Sequence, residues 1–195
     1  MSETKEYIID QAFELFLIRS YEAVSISDIS AAIGLTKGAL YHHFTNKEDL
    51  FKAVLDKYLV FTETEGDVTK VSLEEFNNLV INNVRRMMDK MFSKSSKFVP
   101  INYLTLIADG FKHYPGFASE KENFFNSEIN KTKQVLDHAK KRGEIRSDIN
   151  TAAMSMIYFS TGIGLAGNLL QNYSIEESVN SLKTQLDELL KLMET

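Results

Sequence analysis

Apolar residues recur every three to four positions along most of the chain, a spacing that predicts a succession of amphipathic helices. In the first segment, residues 5–19, they fall at Ile8, Ile9, Ala12, Phe13, Leu15, Phe16 and Ile18. Further periodic segments cover residues 26–33, 37–44, 47–65, 73–93, 100–111, 119–141, 150–171 and 175–193. The pattern therefore predicts an all-α protein of about nine helices.

Polar residues between these segments carry helix-capping signals. Four stretches have the spacing of a capping box, in which a serine hydroxyl and an acid three residues later satisfy each other's backbone amides. They are Ser25 to Asp28, Ser72 to Glu75, Ser119 to Glu122 and Ser174 to Glu177. Gly34 suits the left-handed position after a helix end. These signals predict where the helices begin and where the second one stops.

The second and third helices are joined by a very short turn. Only Leu35 separates Gly34 from Thr36, which can cap the third helix. A turn this short makes two small helices cross steeply, as in a helix-turn-helix. We therefore expect a three-helix helix-turn-helix domain in residues 1–46 and a larger helical domain in residues 47–195, with helix 47–65 linking the two.

Composition excludes several classes of protein. The 195 residues are 44% hydrophobic, enough for a core, and contain no cysteine, which rules out disulfides and thiolate zinc sites. No Gly-rich phosphate loop or acid-base dyad is evident, and the adjacent His42 and His43 point about 100° apart on a helix, a poor arrangement for sharing a metal ion. No signal pattern is present, and no apolar run approaches the roughly 20 residues of a membrane span. We expect a cytoplasmic protein without enzymatic activity, cofactor, metal or membrane partner.

The charge distribution limits where nucleic acid can bind. The formal net charge is −5, and the first fifty residues hold four basic side chains against eight acidic ones. A generally basic coat is therefore absent, so any DNA contact has to be local. Residues 36–47 are such a local patch, because they contain two lysines and no acid.

Small and basic residues at the start of the third helix suit contact with DNA. The free amides around Thr36 point along the positive end of the helix dipole, where a phosphate or a base edge can approach. Gly38 and Ala39 carry almost no side chain, which lets the backbone come close to the floor of a groove. Lys37 is then free to reach a guanine edge or a phosphate.

Three further side chains extend this surface. Tyr41 and His42 can hydrogen-bond to phosphate oxygens, and Lys47 at the start of the fourth helix adds a second cation. The alternative interpretation of Lys37 and Lys47 is that they are solvated surface charges, and His43 suits a partly buried structural position.

The same region resembles a known family. The run from Ile8 to Leu55 looks like the DNA-binding domain of TetR-family transcriptional regulators, most specifically in Lys37-Gly38-Ala39-Leu40-Tyr41-His42-His43-Phe44 and Lys47-Glu48-Asp49-Leu50. The resemblance implies a homodimeric regulator, usually a repressor, whose third helix enters the major groove and whose C-terminal domain binds a small effector. It also implies that Ser25, Ser27, Thr36, Tyr41, His42 and Lys47 touch the DNA backbone, with Lys37, Gly38 and Ala39 nearest the bases.

One residue departs from the family pattern. The family usually has Gly before the aromatic at Tyr21, whereas this chain has Ser20. We therefore expect the end of the first helix to be capped differently.

Aromatic residues in the C-terminal part are candidates for an effector pocket between bundle helices. They are Phe92, Tyr103, Phe111, Tyr114, Phe125, Tyr158 and Phe159. Aromatics at helical spacing also occur as ordinary core, so both interpretations stay open.

The last two helices suggest an interface between copies of the chain. Gly162 and Gly164 give a flat surface, and an apolar stripe runs through Val179, Leu182, Leu186 and Leu189. The stripe can complete the monomer's own core or pair with a second copy. We favour a four-helix interface, because a dimer is the simplest symmetric way to bury so many apolar positions.

These features together predict a ligand-responsive regulator that binds double-stranded DNA at a palindromic operator as a homodimer, with a small-molecule effector. The alternative is an all-α small-molecule-binding or adaptor protein without DNA-binding activity.

Overall fold

The computed structural model describes residues 3–64, 67, 70–92, 99–172 and 174–194. Within these ranges the chain forms nine α-helices and no strand, which confirms the predicted all-α fold. The helices are α1 (Glu3–Arg19), α2 (Ile26–Ile33), α3 (Lys37–His43), α4 (Lys47–Tyr58), α5 (Leu73–Phe92), α6 (Pro100–His113), α7 (Phe117–Arg142), α8 (Thr151–Asn172) and α9 (Ile175–Met193).

Most of the predicted caps are present. Ser25 and Asp28 form a complete capping box at the start of α2, and Gly34 ends that helix in the left-handed conformation with φ 67°. The Thr36 hydroxyl accepts from the amide of Ala39, and the Asn46 side chain begins α4 in the same way. The turn between α2 and α3 is therefore set by local hydrogen bonds that the sequence specifies.

Helix α4 is shorter than predicted. It ends at Tyr58, whereas the apolar pattern had indicated a helix to about residue 65. Beyond it, polar side chains from further along the chain satisfy the backbone: the Asn83 amide donates to the carbonyl of Thr62 at 2.8 Å, and Glu128 accepts from the amide of Thr64 at 3.0 Å. These bonds replace the helical ones. The predicted break at residue 66 lies outside the described residues.

The start of α7 also differs from the prediction. The helix begins at Phe117, so Ser119 lies inside it and the capping box predicted there is wrong. The turn before it explains the earlier start, because Gly116 takes a left-handed conformation with φ 95° and the amide of Phe117 donates to the carbonyl of Tyr114 at 3.1 Å. The predicted end of α5 at residue 93 lies outside the described residues.

The chain forms two compact units. The first, Met1–Val60 with Lys90–Ala118, contains α1 to α4 and α6. The second, Phe61–Asp89 with Ser119–Thr195, contains most of α5 together with most of α7, α8 and α9. The helix-turn-helix of residues 1–46 lies within the first unit. The division into domains 1–46 and 47–195 stays a prediction.

A polar cluster fastens α4 to α1 in the first unit. The Lys57 ammonium lies between the carboxylates of Glu6 and Asp10, and the Tyr58 hydroxyl donates to Asp10 at 2.6 Å. Burial alone would lower the pKa of Lys57, but hydrogen bonds to Asp10 and Glu6 outweigh it and raise that pKa. Beside the cluster, the rings of Phe13 and Tyr58 stack with their centroids 3.7 Å apart. Charge and ring packing together fix the register of the two helices.

Helix α8 in the second unit is unusually apolar. Its segment Thr151–Gln171 has a mean hydropathy of 1.2 and is 22% buried, so by length and composition it qualifies as a membrane span. The sequence had been expected to hold no such segment. One face of the helix packs along α9 through Tyr158, Leu165 and Leu169, which are buried.

Candidate DNA-binding site

The helix-turn-helix presents the outer side of α3 to solvent. Ile29 and Ile33 of α2 are buried, as are Leu40 of α3 and Phe44 just after it. The amide of Leu35 donates to the carbonyl of Ser30 at 3.1 Å, which fixes the short turn between the helices. Since the apolar side of each helix faces the core, the polar side of α3 faces outward.

All nine residues predicted to contact DNA lie on or beside α2, α3 and the start of α4. Seven are exposed and two, Ala39 and Lys47, are half-exposed. The exposed ones are Ser25, Ser27, Thr36, Lys37, Gly38, Tyr41 and His42, with Tyr41 51% exposed. The structure therefore leaves the predicted set accessible, and its contact with DNA stays a prediction.

Two hydroxyls of this set also act as caps. The Ser25 hydroxyl accepts from the amide of Asp28 at 3.1 Å and donates to its carboxylate at 2.5 Å. Hydrogen bonds from the Ser25 hydroxyl and amide, with Arg19 nearby, lower the pKa of Asp28 to about 2. Ser25 is thus engaged within the protein. Thr36 only accepts, from the amide of Ala39 at 3.2 Å, so its hydroxyl hydrogen can be donated to a phosphate.

Gly38 has no packing reason to be glycine. A Cβ added there would meet only the Thr36 hydroxyl at 3.9 Å, an ordinary contact. At Gly110, by contrast, a Cβ would lie 2.9 Å from the Phe117 ring, so that glycine is required by the fold. Because glycine weakens a helix relative to alanine, its presence at position 38 points to something outside the chain that needs the bare backbone.

Lys47 lies against an aromatic ring that α6 also contacts. Its ammonium is 3.9 Å from the centroid of the Tyr21 ring. The His113 imidazole of α6 stacks on the same ring at 4.3 Å, and the Asp109 carboxylate accepts from the amide of Tyr21 at 2.8 Å. The sequence interpretation did not identify Asp109. The signal was available, because Asp109 follows the buried Leu106 by three residues and so shares its face of α6.

No metal site accompanies these residues. The His42 and His43 rings are 5.4 Å apart and nearly perpendicular. In the described part of the chain, no group of three or more His, Cys, Asp or Glu side chains is placed to hold an ion.

The predicted pocket residues are divided between the two units. Phe92, Tyr103, Phe111 and Tyr114 belong to the first unit, whereas Phe125, Tyr158 and Phe159 belong to the second. Tyr103 packs between Phe92 and Phe13, with ring centroids 4.4 and 6.2 Å away, and Phe111 is 49% exposed. In the second unit the Phe125 and Phe159 rings are 5.0 Å apart. A single pocket formed by these seven residues stays a prediction.

The predicted interface residues are also divided. Val179, Leu182 and Leu186 are buried within the chain, at 0% to 1% exposure, while Leu189 is half-buried. Gly164 is exposed and Gly162 half-exposed, both on α8. The free apolar surface thus lies on α8 rather than on the α9 stripe.

Comparison with known proteins identifies the helix-turn-helix. Residues 8–54 match the family described as "Bacterial regulatory proteins, tetR family". The helix-turn-helix region of the chain is therefore similar to the DNA-binding region of TetR-family regulators. Among curated proteins, the HTH-type transcriptional repressor ComR of Escherichia coli (strain K12) is 46% identical over 55 residues, 28% of this chain and 26% of ComR.

The similarity to three of the curated relatives covers about half of their length or less. Alignments with ComR and two other curated relatives cover 26%, 49% and 52% of those proteins. Solved structures match along the whole chain. NalD of Pseudomonas aeruginosa, titled the secondary repressor of the MexAB-OprM multidrug efflux pump, has a TM-score of 0.69 at 20% identity, covering 98% of this chain and 97% of that one. A SmeT-triclosan complex has a TM-score of 0.63 at 17% identity, covering 100% and 93%. The TetR-family fold therefore extends beyond the DNA-binding region.

Proposed function

We propose that the protein is a ligand-responsive transcriptional regulator that binds a palindromic operator as a homodimer, most simply as a repressor. The observation that carries the proposal is the outer face of α3, where Lys37 and Tyr41 are exposed beside Gly38, a glycine that the fold does not require. In an acidic protein, residues 36–47 hold two lysines and no acid. Such a face suits a polyanion that approaches the backbone closely.

The position of each side chain on this face indicates whether it can contact a base or a phosphate. Lys37 lies at the first position of α3, beside the bare backbone of Gly38, so it is the candidate for a base edge. Tyr41 lies one turn later and is 51% exposed, so its hydroxyl is the candidate phosphate donor. Lys47, His42 and Thr36 border the same face and are proposed as further phosphate contacts.

The direct test is fluorescence anisotropy with labelled DNA from beside the protein's own gene. We expect saturable, salt-sensitive binding that Lys37→Ala and Tyr41→Phe weaken. Lys141→Ala is the matched control, because Lys141 is an exposed lysine at the end of α7, in the second unit. Absence of saturable binding by the wild-type protein would refute the proposal and favour a helical ligand-binding or adaptor protein.

The proposed dimer uses the outward face of α8. Met156, Ile157, Ile163 and Leu170 are between 36% and 61% exposed and recur at helical spacing. Gly164 and Gly167 lie on the same face, and a Cβ at either would meet nothing within 4 Å. A two-fold axis through this face would bury the stripe against its copy and give the pairing that a palindromic operator needs.

A second copy explains this face better than a membrane does. Lipid would surround a spanning helix on every side that the protein leaves open, but α8 exposes Ser160 and Gln171 beside its apolar residues. Only one stripe of α8 is apolar and exposed, since Leu165 and Leu169 pack inside the chain. A one-sided stripe of this kind is what a helix pair between two copies requires.

For the effector we propose a small molecule with a large apolar or aromatic part. The second unit contains a cluster of four half-buried rings, Phe61, Phe124, Phe125 and Phe159, whose neighbouring centroids lie 5.0 to 6.3 Å apart. Rings left half-buried in a bundle are accessible to an apolar ligand. The complex of the structurally similar SmeT contains triclosan, an example of such a molecule.

A thermal-shift screen with aromatic compounds tests the effector site. We expect hits to raise the melting temperature of the wild type, with the shift lost in Phe125→Ala. Phe111→Ala is the control, because Phe111 belongs to the first unit and is 49% exposed. Equal shifts in both variants would contradict this location. A hit is expected to weaken DNA binding to the same extent that DNA weakens its own binding.

A further inference from the structure

The corner between α1 and α2 is held in a conformation that its residue disfavours. Ser20 follows α1 directly and has φ 66°, and it is the one non-glycine residue with positive φ in the described part of the chain. The left-handed conformation crowds the Cβ of ordinary residues and is adopted readily by glycine. The amide of Ser20 donates to the carbonyl of Phe16 at 3.0 Å, so this residue terminates α1. Something outside the corner has to stabilise it.

The stabilising contacts come from α6. The Asp109 carboxylate, 6% exposed, accepts from the amide of Tyr21 at 2.8 Å, immediately after the strained residue. His113 lies four residues later on the same face of α6, and its ring stacks on Tyr21 at 4.3 Å. The His113 imidazole also lies 3.1 Å from the Glu22 carboxylate. One turn of α6 therefore contacts two consecutive residues of the corner, Tyr21 through its amide and its ring and Glu22 through its carboxylate.

The held residue in turn carries a candidate DNA contact. The Lys47 ammonium lies 3.9 Å from the centroid of the Tyr21 ring. The His113 ring stacks on the same Tyr21 ring, with the two centroids 4.3 Å apart. A movement of the Tyr21 backbone would move the ring, and with it the surface on which Lys47 rests.

We propose that Asp109 is a positioning residue for DNA binding: it holds the strained Ser20–Tyr21 corner and thereby sets the position of Lys47. The inference rests on the proposed DNA-binding function. The proposed role of Asp109 can be distinguished from a general packing role. The backbone strain lies at one residue, Ser20, and a substitution of Ser20 can relieve it without changing Asp109.

The decisive experiment is a double-mutant cycle between positions 20 and 109. Asp109→Ala is expected to weaken DNA binding by about three- to tenfold, because it removes a buried charge-assisted hydrogen bond and lets Ser20 leave the left-handed region. Ser20→Gly alone leaves affinity near the wild-type value. In the double variant, glycine at position 20 adopts the left-handed conformation without the hydrogen bond from Tyr21 to Asp109, so most of the lost DNA affinity is expected to return. Thr105→Ala is the control on α6, since its exposed hydroxyl bonds only within the helix, to Ile101.

Two measurements without DNA keep the test independent of the proposed function. Amide hydrogen exchange at Tyr21, followed by NMR, is expected to accelerate at least about tenfold in Asp109→Ala. Asp109→Asn keeps an acceptor oxygen and is expected to retain the slow exchange. If Asp109→Ala does not fold, Asp109→Ser takes its place, because its hydroxyl is too short to reach the Tyr21 amide.

The outcomes separate the two hypotheses. Loss of Tyr21 protection together with rescue of affinity by Ser20→Gly supports the inference. If the wild type binds no DNA, the proposed function is refuted. The exchange data then test only whether Asp109 holds the Tyr21 amide. Unchanged exchange in Asp109→Ala, or a double variant that binds DNA no better than Asp109→Ala, overturns the inference.

Discussion

Lys47→Ala offers the sharpest quantitative test of the DNA-binding face. Lys47 begins α4, is half-exposed, and rests on Tyr21 with its ammonium 3.9 Å from the ring centroid. If it neutralises a phosphate, each protomer releases counterions there, and the logarithmic salt slope of binding falls by about 0.9 per contact. A homodimer presents the residue twice. The slope of the variant is therefore expected to be shallower by about 2.

This change in slope has a measurable consequence. Over a fourfold rise in salt, from about 50 to 200 mM, a slope difference of about 2 narrows the affinity gap between wild type and variant by roughly tenfold. Anisotropy titrations at four salt concentrations measure both slopes. Thermal denaturation of the same samples separates any loss of the cation–π contact with Tyr21, worth about 0.5–1 kcal/mol at exposed sites, from the effect on DNA.

Lys52→Ala is the matched control for this prediction. Lys52 lies on the same helix and its ammonium is 5.1 Å from the Tyr114 ring centroid, so the variant loses the same charge and the same kind of contact. We expect its salt slope to stay close to that of the wild type. A Lys47→Ala slope parallel to the wild-type slope would refute the phosphate contact, even if its affinity were lower at every salt concentration.

Three further predictions concern stability, protonation and assembly. Lys57→Met leaves two half-buried carboxylates facing each other, so the free energy of unfolding measured with urea is expected to fall by about 1–2 kcal/mol. Arg85→Ala is the control at an exposed ion pair, and it is expected to change this free energy by less than about 1 kcal/mol. Ser25→Ala is expected to raise the pKa of Asp28 from about 2 toward its ordinary value, and a carboxyl NMR titration that finds this pKa unmoved would contradict the cap. Because folding lowers this pKa, the ionised carboxylate stabilises the folded state at pH values above the pKa of the unfolded chain. That stabilisation is lost as the pH falls through about 2. Ile163→Lys, at a side chain 52% exposed, is expected to turn a dimer into a monomer in light scattering, and a persistent dimer would contradict the α8 interface.

The local parts of the fold could be predicted from the sequence because their causes are local. Ser25 and Asp28 cap α2 across three residues, and Thr36 and Asn46 begin α3 and α4 by the same mechanism. Gly34 stands where the left-handed conformation is needed. Each of these signals lies within a few positions of its effect, so the helix-turn-helix and its exposed face could be read without tertiary contacts.

Features that depend on distant partners could not be predicted in this way. The apolar pattern runs on past Tyr58, but the backbone at Thr62 and Thr64 is satisfied by Asn83 and Glu128, which lie far along the chain. The partner of Tyr21, Asp109, is 88 residues away. Ser20 could be recognised as a departure from the family pattern, but what holds its strained backbone became visible only in three dimensions.

The α9 stripe shows most clearly what periodicity leaves undecided. An apolar stripe reports that one face of a helix is covered, and the covering helix can belong to the same chain or to a second copy. Here Val179, Leu182 and Leu186 are covered by their own chain, at 0% to 1% exposure, and the uncovered apolar stripe is on α8 instead. Helix α8 carries large apolar side chains on two faces, so the packing of one face on α9 determines which face remains exposed. The proposed dimer therefore depends on how α8 packs on α9 within one chain, and a substitution inside that contact, such as Leu182→Ala, is expected to weaken dimerisation and stability together. Dimerisation unaffected in a destabilised Leu182→Ala would show that the two copies meet elsewhere.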